Sequence, residues 1–168
     1  MENNQTKQKY TIKRIGGHLH KIIPVMDSTG KVIHTAISPF MVELKPKDIL
    51  QIIVGATILA IPVGLTEETW LLAEQLKMRN VLWLGFISLF FISLFVYFNF
   101  YRYNLKGYVA QYIKRVIAIY GLSLLTVGLL LTIIEKCPWG VNNLLAIKRI
   151  IITALPASMA AAISDTIK

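Results

Sequence analysis

The chain has 168 residues, of which 55% are apolar or aromatic and only 16% are charged, and its formal net charge is +9 at pH 7. This composition excludes a large soluble domain, because a chain of this length and apolar content has room for four membrane spans, described below, and only one small extramembrane piece. Cys137 is the single cysteine and excludes an intrachain disulfide, so packing must hold the fold together.

The first 47 residues are polar and basic, and they predict a small β unit behind a tail. Residues 1–9 have the composition of a disordered basic tail. From residue 10 onward, strand-like segments flank the sequence Asp27-Ser28-Thr29-Gly30, which is typical of a turn. We therefore predict a small cytoplasmic β-hairpin unit over residues 10–47. The Lys45-Pro46 pair then breaks regular structure, and Asp48 is placed to cap the first membrane helix.

All three histidines, His18, His20 and His34, lie in this β unit. Two extended residues, His18 and His20, would point to one face, and His34 on the partner strand could complete a zinc-type set. Solvation or contact with lipid phosphates is the usual outcome for such histidines, and no carboxylate is placed to orient the rings. We therefore predict no metal site and no cofactor.

Four long apolar segments follow, and each matches the thickness of a bilayer. A spanning helix needs about 20 mostly apolar residues, because lipid offers no hydrogen bonds to an unpaired backbone. The predicted fold class is an all-α membrane protein with four transmembrane helices and the N-terminal β-hairpin. Residues 48–168 form the membrane domain, with spans at about 48–72, 80–101, 113–134 and 143–165.

The distribution of lysine and arginine predicts the orientation. The N-terminal unit and the link between the second and third spans are basic, and in that link we count Arg102, Lys106, Lys114 and Arg115. Positive loops stay cytoplasmic, which places both termini in the cytoplasm of a multi-pass protein of the cell (inner) membrane. Anionic lipid headgroups at the cytoplasmic face are the expected partner. Nucleic acid is not, because the basic residues lack interleaved aromatic residues and a recognition motif.

Small residues repeat at every fourth position in the first and fourth spans, and each span also contains a proline, Pro62 or Pro156. Such stripes permit close approach of two helix backbones. We predict that the two helices pack together through Ala56, Ala60, Gly64, Ala154, Ser158 and Ala162.

Carboxylates near the first proline are candidates for function, because charges inside or beside a bilayer are costly unless they are paired or hydrated. Glu67 and Glu68 are predicted to lie near the outer edge of the hydrocarbon, where Lys148 and Arg149 are possible ion-pair partners. Solvated glutamates and cations that extend to the outer headgroups are the alternative. A candidate ion path or polar cluster comprises Thr57, Pro62, Thr66, Glu67, Glu68 and Asp165.

The segment from Ile61 to Trp70, with its proline followed by Thr-Glu-Glu-x-Trp, resembles a bacterial family of short integral membrane proteins with no assigned activity. The resemblance continues in Leu155-Pro156-Ala157-Ser158 and in Ser164-Asp165-Thr166, and it covers most of the chain from about Val25. It implies the membrane topology and supplies no substrate, cofactor or reaction.

Two function classes follow from these observations. The first is a homo-oligomeric ion or proton channel or transporter, since four spans alone enclose little space. The alternative is a non-conducting membrane scaffold or sensor that works through its basic cytoplasmic hairpin. An enzyme is not predicted, because the sequence has no nucleophile with a paired base, no phosphate-binding glycine loop and no intramembrane cluster of metal ligands.

Overall fold

A computed structural model describes residues 11–15, 18–26, 32–39, 43–102 and 107–167. The chain divides between Glu43 and Leu44 into two compact units, and each is described by itself. The predicted disordered tail and the predicted turn at Asp27–Gly30 lie outside the described residues.

The N-terminal unit is a three-stranded antiparallel sheet in the order β1-β2-β3. The strands are β1 (Thr11–Ile15), β2 (His18–Met26) and β3 (Val32–Pro39). The predicted hairpin corresponds to β2 and β3, and β1 extends it on the other side of β2. Because β1 pairs with β2 only as far as Ile22, Pro24 lies where β2 has a single neighbour and its missing N–H is tolerated.

The strand register does not support the zinc-type histidine set. His34 on β3 lies opposite Val25, whereas His20 lies opposite Pro39. A separation of five residues along a strand is about 17 Å, which is far beyond the reach of ligands to one ion. The side chain of His34 is exposed, and among the residues that the structure describes no three His, Cys, Asp or Glu side chains form a metal-binding group.

The second unit is a helical bundle, and it confirms the predicted fold class. Within the part of the chain that the structure describes, four helical segments are long and apolar enough to cross a membrane, namely Pro46–Gly64, Met78–Tyr101, Val109–Ile133 and Asn143–Thr166. The helices are α1 (Pro46–Gly64), α2 (Glu67–Gln75), α3 (Met78–Val96), α4 (Val109–Ile133) and α5 (Asn143–Thr166). α3 continues into a π-helical turn at Tyr97–Tyr101.

α5 is the central helix, because it packs against each of the other four, and most extensively against α1. Small side chains allow this arrangement: Ala154, Ala157 and Ala161 of α5 are fully buried. α3 turns large aromatic side chains outward: Phe86 is 62% exposed and Phe90 is 57% exposed. In a bilayer these rings would face lipid.

The prediction that the first span continues to residue 72 is wrong, since α1 ends at Gly64 and a separate helix, α2, begins at Glu67. Thr66 is extended, with φ −86° and ψ 135°. Side chains satisfy the carbonyls that the break exposes: the Thr66 hydroxyl donates to the Val63 carbonyl at 2.8 Å, and Trp70 Nε1 donates to the Gly64 carbonyl at 2.9 Å. Local capping therefore stabilises an end where apolar periodicity predicted continuation.

The start of α1 also differs from the prediction. Lys45 is the N-cap residue and Pro46 occupies the first turn, where a missing N–H costs nothing. Asp48 is the third helical residue, and its carboxylate accepts a hydrogen bond from the Lys45 backbone N–H at 3.1 Å. Because this interaction uses only part of the carboxylate, Asp48 remains able to bind a second partner.

Candidate functional site

A buried ionic cluster lies at the end of the bundle where α1 and α4 begin and α5 finishes. Arg115 of α4 donates from Nε to Asp165 Oδ2 at 2.7 Å and from Nη2 to Asp165 Oδ1 at 2.9 Å. The same Nη2 donates to Asp48 Oδ2 at 3.1 Å. The side chains of Arg115 and Asp165 are 0% exposed and that of Asp48 is 3% exposed. We call this end of the bundle the ionic end.

Helix polarity explains why Arg115 is needed there. Asp48 lies in the first turn of α1, where the partial positive charge of the helix favours a carboxylate. Asp165 lies in the last turn of α5, where the same effect disfavours one. The bidentate contact from Arg115 to Asp165 offsets that repulsion with two charge-assisted hydrogen bonds.

Aromatic side chains from the end of α3 close the cluster. The guanidinium carbon of Arg115 lies 3.9 Å from the centroid of the Phe100 ring, which is a cation–π contact. Tyr101 is fully buried beside Arg115. All four membrane spans therefore contribute a side chain to the ionic end.

The π-helical turn sets the direction of these aromatic residues. Buried positions on α3 recur every three or four residues up to Val96, as an α-helix requires, but the next fully buried residue is Tyr101, five positions on. The wider turn brings Tyr101 to the inside of the bundle in place of Phe100. Single π turns inside helices are frequent at functional sites.

Buried hydroxyl groups continue inward from the ionic end along α5. Ser158 shares a buried hydrogen bond of 2.7 Å with Ser88 of α3. Further along, Thr153 is 1% exposed, and its hydroxyl oxygen has no hydrogen-bond partner. A buried polar atom without a partner commonly marks the position of a water molecule or ion.

The opposite end, which we call the α2 end, contains a more exposed set of charges. Arg149 of α5 donates to Glu74 of α2 at 2.8 Å and to the Lys136 carbonyl at 2.6 Å. Lys148 donates to the Leu76 carbonyl at 2.7 Å. Within the pair, the side chain of Arg149 is 13% exposed and that of Glu74 is 49% exposed.

The predicted ion pair of Glu67 or Glu68 with Lys148 or Arg149 is therefore wrong, because the acidic residue that pairs with Arg149 is Glu74. The helix is interrupted at Leu65 and Thr66, so Glu67 and Glu68 form the first turn of α2, where both side chains are exposed. Glu74, two turns later, is the residue that α2 brings to Arg149. The first turn of α2 is nevertheless a favourable place for two carboxylates, because of the helix dipole.

The residues proposed for an ion path do not form one cluster. Thr57 donates to the Ile53 carbonyl of its own helix at 2.8 Å, and Pro62 is exposed on the outer side of α1. Thr66 caps the end of α1, and its hydroxyl also lies 2.7 Å from that of Thr69. Asp165 belongs to the ionic end, which is separated from the α2 end by the length of a span.

The six residues predicted to pack the first and fourth spans together are all buried. Their contacts differ in detail: Ser158 bonds to α3, and a side chain at Gly64 would meet Leu131 of α4 at 3.2 Å as well as Thr153 of α5 at 3.7 Å. α1 and α5 approach each other closely at Gly55, where an added Cβ would lie 2.5 Å from the Cβ of Ser164. Gly55 directly precedes Ala56, the first residue predicted to pack these helices together.

Arg115 is the functional candidate that the sequence analysis missed. It was counted as a loop cation, although the span predicted at 113–134 already included it. A cation inside an apolar segment that also has acidic residues at the ends of other spans is a signal for a buried ion pair. The sequence by itself does not say which acid is the partner.

Cys137 lies in the turn between α4 and α5 and is 8% exposed. Burial raises the pKa of its thiol, while a hydrogen bond with Thr132 and the charge of Arg149 act in the opposite direction. A thiol with a raised pKa has less thiolate at neutral pH and reacts slowly. This thiol is therefore a poor reporter of topology.

Comparison with known proteins identifies a family but no activity or substrate. A family described as "Putative integral membrane protein (DUF2391)" matches residues 26–166, which include the end of β2, all of β3 and the whole helical bundle. No curated protein and no solved structure matches the chain. The four long apolar helices agree with the description of this family. The chain belongs to the DUF2391 family of integral membrane proteins.

Proposed function

We propose that the protein carries protons or a small cation across the membrane and that the ionic end is its ionisable site. The observation that carries the proposal is the buried contact of Arg115 with both Asp48 and Asp165 within a membrane bundle. Ionisable groups in this setting are costly and commonly belong to ion paths or proton relays. Within the cluster we assign proton exchange to Asp48, because its side chain keeps some exposure, at 3%, whereas that of Asp165 is 0% exposed.

The hydroxyl groups on the inner side of α5 supply a direction for transfer. At the rise of an α-helix, Ser158 lies about 10 Å from Asp165 along the axis, and Thr153 lies about 7 Å further toward the α2 end. Gaps of this size need bound water between the side chains. The unpartnered hydroxyl of Thr153 supports a water molecule at one of these steps.

Glu67 and Glu68 remain part of the proposal as exposed carboxylates at the α2 end. There they can exchange protons with water, which is a supporting role and not the central one. We further propose that the protein forms a homo-oligomer in the cell (inner) membrane, since a hydrated cation needs more room than one tightly packed bundle leaves. Anionic headgroups at the cytoplasmic face would contact its basic residues. The proposal includes no enzymatic step.

Proton flux into liposomes tests the proposal. Purified protein would be reconstituted with a pH-sensitive dye inside, and a potential would drive proton entry. Asp48→Asn should abolish most of the flux, whereas Glu67→Gln combined with Glu68→Gln should reduce it only partly. Glu135→Gln, at an exposed residue in the turn after α4, is the matched control and should leave the flux unchanged.

Flux must be compared only among variants that elute and melt like the native protein, since Asp48 also contributes to stability. A native protein that passes neither protons nor monovalent cations over a range of voltages would overturn the proposal. Equal flux in the native protein and in Asp48→Asn would support transport but would show that the ionic end is not part of the path.

A non-conducting scaffold or sensor is the second candidate, and one observation favours it. The small sheet leaves several large apolar side chains exposed, among them Ile33 at 68% and Ile37 at 58%. Exposed apolar side chains on a small sheet can form a binding surface. If this unit is the working part, a chain that lacks residues 1–43 should still assemble in the membrane but lose its cellular effect, and the intact protein should show no flux.

The proposed orientation can be tested separately with introduced cysteines in a Cys137→Ser background. Val141 is 91% exposed in the turn between α4 and α5, and Val109 is 49% exposed at the start of α4. A membrane-impermeant maleimide applied to intact cells should label Val141→Cys and not Val109→Cys. The reverse pattern would place the ionic end and both termini outside.

A further inference from the structure

An apolar groove runs between α3 and α5 beside the ionic end. Its volume is about 510 Å³, and its walls are formed mainly by Phe91 and Phe95 of α3, by Phe98 of the π-helical turn, and by Met159 and Ile163 of α5. The small side chain of Ala162 forms part of its floor. Since both helices are membrane spans, this groove opens toward the hydrocarbon of the bilayer.

The groove has a positive charge at one end. Arg102, one turn after Phe98, is exposed, and its guanidinium carbon lies 6.0 Å from the centroid of the Phe98 ring. Asn99 lines the same end of the groove, so its polar groups lie where the span finishes. The π-helical turn at Tyr97–Tyr101 produces this arrangement, because it turns Tyr101 inward while Phe98 and Asn99 stay exposed.

We propose that this groove binds one anionic phospholipid, with an acyl chain along the aromatic wall and the phosphate beside Arg102. An acyl chain matches the apolar walls of the groove, and only a lipid is present at high concentration at that depth. The arginine fork suits a phosphate oxygen, because the planar guanidinium can donate two parallel hydrogen bonds to it. This inference rests on the proposed contact with anionic headgroups but not on the proposed transport, because none of Asp48, Tyr101, Arg115 and Asp165 lines the groove.

A second groove, on the outer surface of α3 at the α2 end, provides a matched control. It is lined by Arg79, Leu82, Trp83 and Phe86, and its volume is about 440 Å³. It also combines an arginine with aromatic side chains, but its lining residues all come from α3. A response that depends only on an arginine and exposed aromatic residues would appear at both grooves.

Native mass spectrometry with defined lipids tests the inference. The full-length protein in neutral detergent would be titrated with phosphatidylglycerol or with phosphatidylcholine of the same acyl chains. Phosphatidylglycerol should give one saturable adduct at low concentration. Arg102→Gln should weaken it about fivefold, because one cation near the surface contributes about 1 kcal/mol toward an anionic lipid.

A second variant keeps the test decisive if the charge change has other effects. Ile163 is 54% exposed, so Ile163→Trp should fill the groove without disturbing the buried interior, and it should remove the saturable adduct. Arg79→Gln and Leu82→Trp, the corresponding changes at the second groove, should leave the adduct unchanged. Equal binding of both lipids, or an adduct that survives both Arg102→Gln and Ile163→Trp, would overturn the inference.

Discussion

The two ends of the bundle both pair an arginine with acidic residues, but the consequences differ. At the ionic end, Arg115 is 0% exposed and contacts two carboxylates that are themselves buried. At the α2 end, Arg149 contacts one carboxylate that is 49% exposed, together with a backbone carbonyl. An exposed pair contributes about 0–1 kcal/mol, whereas breaking a buried one leaves an unpaired charge in a medium of low dielectric constant. Burial, more than the presence of an ion pair, determines which end controls stability.

The largest expected effect is the loss of Arg115. Arg115→Met should lower the free energy of unfolding by about 3–5 kcal/mol, because Asp48 and Asp165 would remain buried without their partner. Unfolding by sodium dodecyl sulfate in mixed micelles would measure the change. Adding Asp48→Asn and Asp165→Asn to Arg115→Met should recover much of the loss. A single variant as stable as the native protein would mean that the cluster is hydrated.

A second large effect is expected where α1 and α5 pack closely at Gly55. Gly55→Ala should destabilise the bundle by about 1–3 kcal/mol, because its Cβ would lie 2.5 Å from the Cβ of Ser164 and 2.9 Å from the Ala160 carbonyl oxygen. Gly121 of α4 is the matched control, since an added Cβ there meets nothing within 4 Å. Gly121→Ala should be neutral or slightly stabilising. Similar melting curves for the two variants would contradict the close approach of α1 and α5.

A smaller effect is expected for the hydrogen bond between Ser88 and Ser158. Ser88→Ala should cost about 0.6 kcal/mol, the average for interhelical hydrogen bonds inside membranes. A double-mutant cycle with Ser158→Ala measures the coupling directly, because each serine is fully buried. Additive single effects would show that the two hydroxyl groups do not interact.

The smallest effect is expected at the α2 end. Glu74→Gln should cost less than about 1 kcal/mol, and the cost should shrink as salt is added, because the pair with Arg149 is partly exposed. In a double-mutant cycle, Glu74 should couple to Arg149, whereas Glu68→Gln should not. Coupling at Glu68 would restore the ion pair that the sequence predicted and would place the start of α2 elsewhere.

The ionic end also shows how much of the candidate site could be predicted from the sequence. Asp165 was selected from the sequence because acidic residues are rare near a span, and Asp48 was recognised as a residue at a helix start. Neither position reveals a partner, because Arg115 is 50 residues from Asp165 and 67 from Asp48 along the chain. Only the packing of α4 against both α1 and α5 brings the three side chains together.

The sequence alone determined the number of spans, the approximate limits of the last three and the family, since length and hydropathy are local properties that lipid strictly constrains. It also identified the small residues on α1 and α5 that become buried. The tertiary structure decided the rest: the break after Gly64, the choice of Glu74 for Arg149 and the joining of four spans at Arg115. These depend on contacts between residues far apart in the chain. A pattern of apolar spacing can say which side of a helix is buried, but it cannot say which other helix covers that side.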